Sequence, residues 1–180
     1  MVFDAAEFGA GVARILALDG DGARRMPLAH GVCSSPEAKR LLAAASAAEL
    51  FPAARAPQAA LAGLWLYFSC LDESHSLSQD IPSPEGSFWH GIMHRQEPDP
   101  GNAGYWFRRV GAHAVFPALR DEAETLGYQS AGSWDPFAFI HFVEQARRQP
   151  GSPDEILARE VQLAEWRLLF RYCALPGSGR

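Results

Sequence analysis

The sequence predicts an all-α fold: a compact single-domain bundle of about seven helices over residues 1–180. Three observations carry this expectation. Apolar side chains recur every three or four residues through most of the chain. Short start signals, in which Ser or Asp precedes Pro and often an acidic first turn, open one segment after another. No run of alternating apolar and polar residues lies between hairpin turns, so a sheet is not expected. With 48% hydrophobic and 21% charged side chains, 180 residues suffice for a substantial core within one domain.

Taken in order, Asp4 and Glu7 stand at capping-box spacing ahead of Phe8, Val12, Ile15 and Leu16, and that first helix ends near Asp19-Gly20-Asp21-Gly22. Ser35-Pro36-Glu37 reads as N-cap, first-turn proline and acidic first turn of a helix running to about Ala47. Pro57 opens the most apolar segment, in which Leu61, Leu64, Trp65, Phe68 and Leu71 share one stripe and Leu66, Tyr67 and Cys70 cover the other sides, so this helix should be central. Further start signals at Ser83-Pro84-Glu85, Asn102, Asp135-Pro136 and Ser152-Pro153 predict helices near 84–97, 103–111, 136–148 and 153–174, with another near 115–126.

A formal net charge of −5 argues against nucleic acid as a partner, because phosphate neutralisation requires a basic field. The longest apolar run, Ala59 to Leu71, is too short to span a bilayer, and Met1 to Ala6 lack the cationic start of a secretory signal, so a cytoplasmic protein without a membrane partner is expected. Cys33, Cys70 and Cys173 form no CxxC pair and read as reduced, mostly buried thiols.

Most of the potential site chemistry falls between Asp72 and His113. Continued at 100° per residue, the central helix would carry Asp72 and His75 on its buried stripe, where an unpaired charge costs several kcal/mol; the other outcome is that the helix ends near Leu71. Asp72 and His75 have the spacing of a helical di-iron ligand pair, but no second E-x-x-H follows, which disfavours a di-iron centre. In the next helix His90, His94 and Glu97 oppose Phe88, Trp89, Ile92 and Met93. Histidines four apart can hold one metal ion, although the glutamate of a zinc protease motif is absent; this polar arc would otherwise face water. Gly91 hints at a close backbone approach beside them. Further on, Tyr105, Arg108 and Arg109 share a polar arc opposite Trp106, Phe107 and Val110, and two arginine forks beside a phenol suit a carboxylate or phosphate. His141, among Phe137, Phe139, Ile140 and Phe142, reads as a core histidine, His30 as a loop residue, and Glu165 as part of a solvated face.

The segments Leu71 to His75, Phe88 to Arg95 (FWHGIMHR) and Asn102 to His113 (NAGYWFRRVGAH), which together span residues 71–113, resemble those of a family of uncharacterised bacterial proteins. The likeness covers about a quarter of the chain and implies no activity or residue roles.

The expectation from these residues is a small anionic or polar ligand held in a pocket formed by residues 72–113. In an enzymatic form, His90, His94, Asp72 and Glu73 would be the catalytic set, with His90 or His94 as general base and an acid orienting an imidazole, while Tyr105, Arg108, Arg109, Arg95 and Trp89 would bind the ligand. No hydrolase triad order, phosphate-binding glycine loop or dinucleotide fingerprint fixes the reaction. Two alternatives stand beside it. One is a non-catalytic interaction module whose polar cluster is structural, and the other is a mononuclear metalloprotein with one divalent ion bound by a set drawn from His75, His90, His94 and His113.

Overall fold

The computed structural model describes residues 3–177, so the outermost residues of the expected 1–180 domain lie outside the described part. Among the described residues there are ten α-helices and no strand: α1 (Ala10–Leu16), α2 (Pro36–Ala44), α3 (Ala47–Leu50), α4 (Pro57–Tyr67), α5 (Leu71–Ser78), α6 (Pro84–Gln96), α7 (Pro100–Val110), α8 (Phe116–Leu126), α9 (Pro136–Ala146) and α10 (Pro153–Ala174). The all-helical class therefore holds, while the count of about seven falls short. The short α3 follows α2 after a break, with Ser46 and Glu49 forming a capping box, and the single central helix expected from Pro57 onward is two helices.

Most starts lie where the sequence put them, because a side-chain oxygen of the cap satisfies an otherwise orphaned backbone N–H. Ser35 Oγ accepts from Ala38 N at 3.1 Å, Asp135 Oδ1 from Phe137 N at 2.8 Å and Ser152 Oγ from Glu155 N at 3.1 Å. Two starts differ. Asp4 caps only a 3-10 turn, Ala5–Phe8, before Gly9 at φ +93° redirects the chain into α1. Asp99, not Asn102, caps α7, taking the Asn102 N–H at 3.0 Å.

The break between α4 and α5 corrects the largest expectation. The chain leaves α4 at Phe68, Ser69 adopts a left-handed φ of +56°, and α5 restarts at Leu71 on a new axis. The 100° rule therefore cannot be carried from Leu61 to His75, and Asp72 lies exposed rather than on a buried stripe. Cys70 at this corner is joined to Cys33 by a disulfide, leaving the buried Cys173 as the free thiol. This corrects the expectation of three reduced thiols.

The buried apolar residues form one continuous cluster, and every residue of α4 from Ala59 to Tyr67 belongs to the interior. Close packing brings the neighbours in. A Cβ on Gly63 would sit 2.6 Å from the Trp89 ring, so α6 lies directly on α4, and the Trp166 indole N–H donates to Gly63 O at 2.8 Å, tying α10 to the same turn. A Cβ on Gly91 would stand 2.9 Å from the Phe107 ring, which bears out the close approach expected there and identifies α7 as what approaches. No helix among the described residues is long and apolar enough to cross a membrane.

On the side of α6 facing α10, Arg95 and Glu165 form an ion pair with both side chains fully buried. Arg95 Nη1 donates to Glu165 Oε1 at 3.3 Å and Nη2 to Gln162 Oε1 at 3.3 Å, and the guanidinium lies 4.7 Å from the Phe139 ring centre. Arg95 thus braces the core instead of facing a ligand, and Glu165 belongs to that brace, not to a solvated face. Its helix position turns it away from the arc of His90 and His94. Removing one partner leaves a buried charge uncompensated. Glu165→Ala should cost about 3–5 kcal/mol in urea unfolding, and pairing Glu165→Leu with Arg95→Met should recover most of that loss.

Candidate functional site

His75 from α5 and His90 and His94 from α6 converge. One ring nitrogen from each lies within 4.8 Å of the other two, and the ring centres are 4.6 Å apart for His75 and His90, 4.7 Å for His90 and His94, and 5.5 Å for His75 and His94. The i, i+4 spacing in α6 stacks two imidazoles on one face, and the corner at Ser69 aims α5 across that face so that His75 completes the set. His90 and His94 are buried and His75 half-buried, so the arc expected to meet water is covered.

The Nδ1 atoms of two rings face neighbouring side chains. His90 Nδ1 lies 2.8 Å from Ser78 Oγ, and the same hydroxyl reaches His75 O at 3.4 Å. A hydroxyl has one proton, so if it is donated to that carbonyl, Ser78 accepts from Nδ1–H and the lone pair of His90 resides on Nε2. His94 Nδ1 stands 3.1 Å from Glu97 Oε2, a charge contact too poorly aligned to be a hydrogen bond. No hydrogen bond reaches the His75 ring among the described residues. Burial, and then the neighbouring His94 and His75, holds the His90 imidazole down to about 3. Burial also lowers His94 despite the opposing pull of Glu97. Both are neutral near pH 7, the form that binds metal ions.

One outer wall of the cluster comes from α7. The Trp106 ring lies 4.1 Å from the His90 ring, and the Arg109 guanidinium covers Trp106 at 5.3 Å and Tyr105 at 5.9 Å. Arg108 points elsewhere, lining a groove with Phe116, Trp134 and Phe137. The two arginines expected to share an anion are therefore divided between two sides of α7.

The remaining expected residues lie apart from the three histidines. Asp72 is exposed, and Glu73 pairs with Lys39 at 2.6 Å, so neither orients an imidazole of the cluster. Trp89 is packed into the core against Gly63. His113 is not a fourth ligand: the turn at Gly111, φ +62°, carries it toward the start of α6, where it packs among Phe88, Phe116 and Tyr172 and faces Glu85. His141 is exposed on α9 beside Gln145, not in the core, while His30 is exposed in its loop. Sequence reasoning did not single out Ser78; its position one turn past His75 was the available signal.

No known protein family, curated protein or solved structure matches this chain.

Glu85 is the most perturbed acid near these helices. The His113 imidazole, with Nε2 at 3.7 Å from Glu85 Oε1, and further the Ser83 hydroxyl bring its carboxyl from 4.5 down to about 2. At that separation the contact with His113 is electrostatic rather than a hydrogen bond. Because the folded value lies below the ordinary one, the associated stability is whole above 4.5 and is lost as pH falls from there to about 2. Glu85→Gln should therefore be less stable than wild type at neutral pH, and denaturant titrations should show the gap closing over that acid window.

Proposed function

We propose that the protein is a mononuclear metalloprotein in which His75, His90 and His94 hold one divalent ion. The observation that carries this reading is the convergence of three imidazole nitrogens, within 4.8 Å of one another, in a largely buried setting. Tetrahedral ligands at Zn–N distances of about 2.0–2.1 Å stand about 3.3 Å apart, so modest side-chain rotation brings this set into bonding range. Ser78 and Glu97 lie at the Nδ1 atoms of two rings, the place where outer-shell partners orient metal-binding imidazoles.

A purely structural network explains the arrangement less well. Buried polar networks stabilise a core when their members are satisfied, yet His94 Nδ1 is buried without a hydrogen bond among the described residues. Three protein ligands leave a coordination position open, and an ion so held can polarise a substrate oxygen or acidify a bound water. The chain's own part is to keep His90 and His94 neutral, to fix their rings, and to shield one side of the cluster with Trp106.

Protein freed of metal by chelation should take up one equivalent of zinc or cobalt(II). At hundredfold excess over Kd, uptake should stabilise it by about 2.7 kcal/mol and raise Tm by roughly 5–10 °C. His75→Ala, His90→Ala and His94→Ala should each abolish stoichiometric uptake, whereas His141→Ala should not. Ser78→Ala, which leaves all three ligands in place, should weaken binding about 10–100-fold. Failure to bind either ion at micromolar concentration, or full uptake by a folded variant lacking both His90 and His94, would overturn the assignment.

A further inference from the structure

On the other side of α7, an open groove of about 720 Å³ runs between that helix, α8 and the segment leading into α9. This falls within the range of small-molecule sites, which combine apolar walls with a few placed polar groups. Phe116, Trp134 and Phe137 supply aromatic surface, and Arg108 and Arg120 supply positive charge.

The charge is available. Among the described residues Arg108 has no ion pair, although it is exposed at the end of an amphipathic helix. Among the described residues Arg120 pairs with its neighbour Asp121 alone, and an exposed contact of that kind is worth little and is readily exchanged. Among the described residues Asp135 is the one carboxylate lining the groove, and its Oδ1 is committed to the Phe137 and Ala138 N–H groups at the start of α9. The groove therefore presents two guanidinium groups to an incoming anion, and arginine forks match a carboxylate in plane and spacing.

One buried donor sharpens the chemistry. The Trp134 indole N–H is buried without an acceptor among the described residues, and Trp134 lines the groove. His113, which also lines it, is turned elsewhere: its Nδ1 accepts the Val115 N–H at 3.2 Å and its Nε2 faces Glu85 Oε1 at 3.7 Å. An unmade hydrogen bond at a buried donor costs free energy that an acceptor from a ligand can return.

We propose that this groove binds a planar aromatic carboxylate, with its ring against Trp134, Phe116 and Phe137 and its carboxylate toward Arg108 and Arg120. The site is distinct from the histidine cluster and does not depend on a metal being bound there.

Benzoate, benzamide and acetate serve as probes, because they share the ring and the charge in separate combinations. Benzoate should change tryptophan fluorescence saturably, both in chelator-treated protein and in protein loaded with one equivalent of zinc. Trp134→Phe should remove the signal change and identify which of the five tryptophans reports it. Arg108→Gln should weaken benzoate binding at least tenfold, Arg120→Gln severalfold, and benzamide and acetate should bind at least tenfold more weakly than benzoate. His141→Ala should leave affinity unchanged. Equal affinity for benzamide and benzoate would show an apolar surface without a carboxylate site and overturn the proposal. So would undiminished binding in a folded Arg108→Gln variant, or no saturable change at millimolar benzoate. Zinc uptake with no benzoate binding would leave the metal reading standing alone, and the reverse would leave the groove alone, so the two failures are distinguishable.

Discussion

The structure depends on the burial of α6 beyond its first two residues. Its residues from Gly86 to Gln96 are all interior, yet they include a serine, two histidines, an arginine and a glutamine. Polar groups withdrawn from water must find partners inside the protein. That requirement, rather than hydrophobic contact alone, dictates what surrounds the helix. Arg95 draws Glu165 and Gln162 inward from α10, Gln96 lies beside the Met26 sulfur, and His90 meets Ser78. Two glycines make the burial sterically feasible, since side chains at positions 63 and 91 would collide with Trp89 and Phe107.

Opposite faces of α6 carry different kinds of polar order. Toward α10 the ion pair is closed, with charges matched and solvent absent. Toward α5 three imidazoles are gathered together instead, His90 and His94 among them held neutral, with Ser78 at His90 Nδ1 and Glu97 at His94 Nδ1. A closed pair specifies packing, whereas a set of neighbouring lone pairs suits an electron-pair acceptor. α7 then separates this cluster from the aromatic groove, presenting Trp106 and Arg109 to one side and Arg108 to the other.

Much of the site was legible one residue at a time. The i, i+4 histidines of α6 and the burial of Phe107 and Val110 followed from helical periodicity, and Gly91 correctly signalled a tight approach, whereas Trp106, expected on the same apolar arc, is half-buried and turned to His90. Pairing across helices was not legible. Arg95 and Glu165 are 70 residues apart; Arg95 read as a ligand-binding group and Glu165 as a solvated charge, because amphipathic reading keeps charge out of the core unless a partner is known. The same rule left His90 and His94 facing water. His113 was grouped with the other histidines by proximity in sequence, but the turn at Gly111 carries it to a different neighbourhood.

What the sequence determined by itself is the local grammar: an all-helical chain, most of its helix starts, and a central segment apolar on every side. These are governed by capping groups and by periodicity within a turn or two, so neighbouring residues suffice to specify them. Tertiary structure alone decided that the chain turns at Ser69, that His75 thereby crosses to the face of His90 and His94, and that Arg108 and Arg109 serve different surfaces. One left-handed residue reorients everything after it, and the side chains that meet across such a corner are selected by packing between helices rather than by their spacing along the chain.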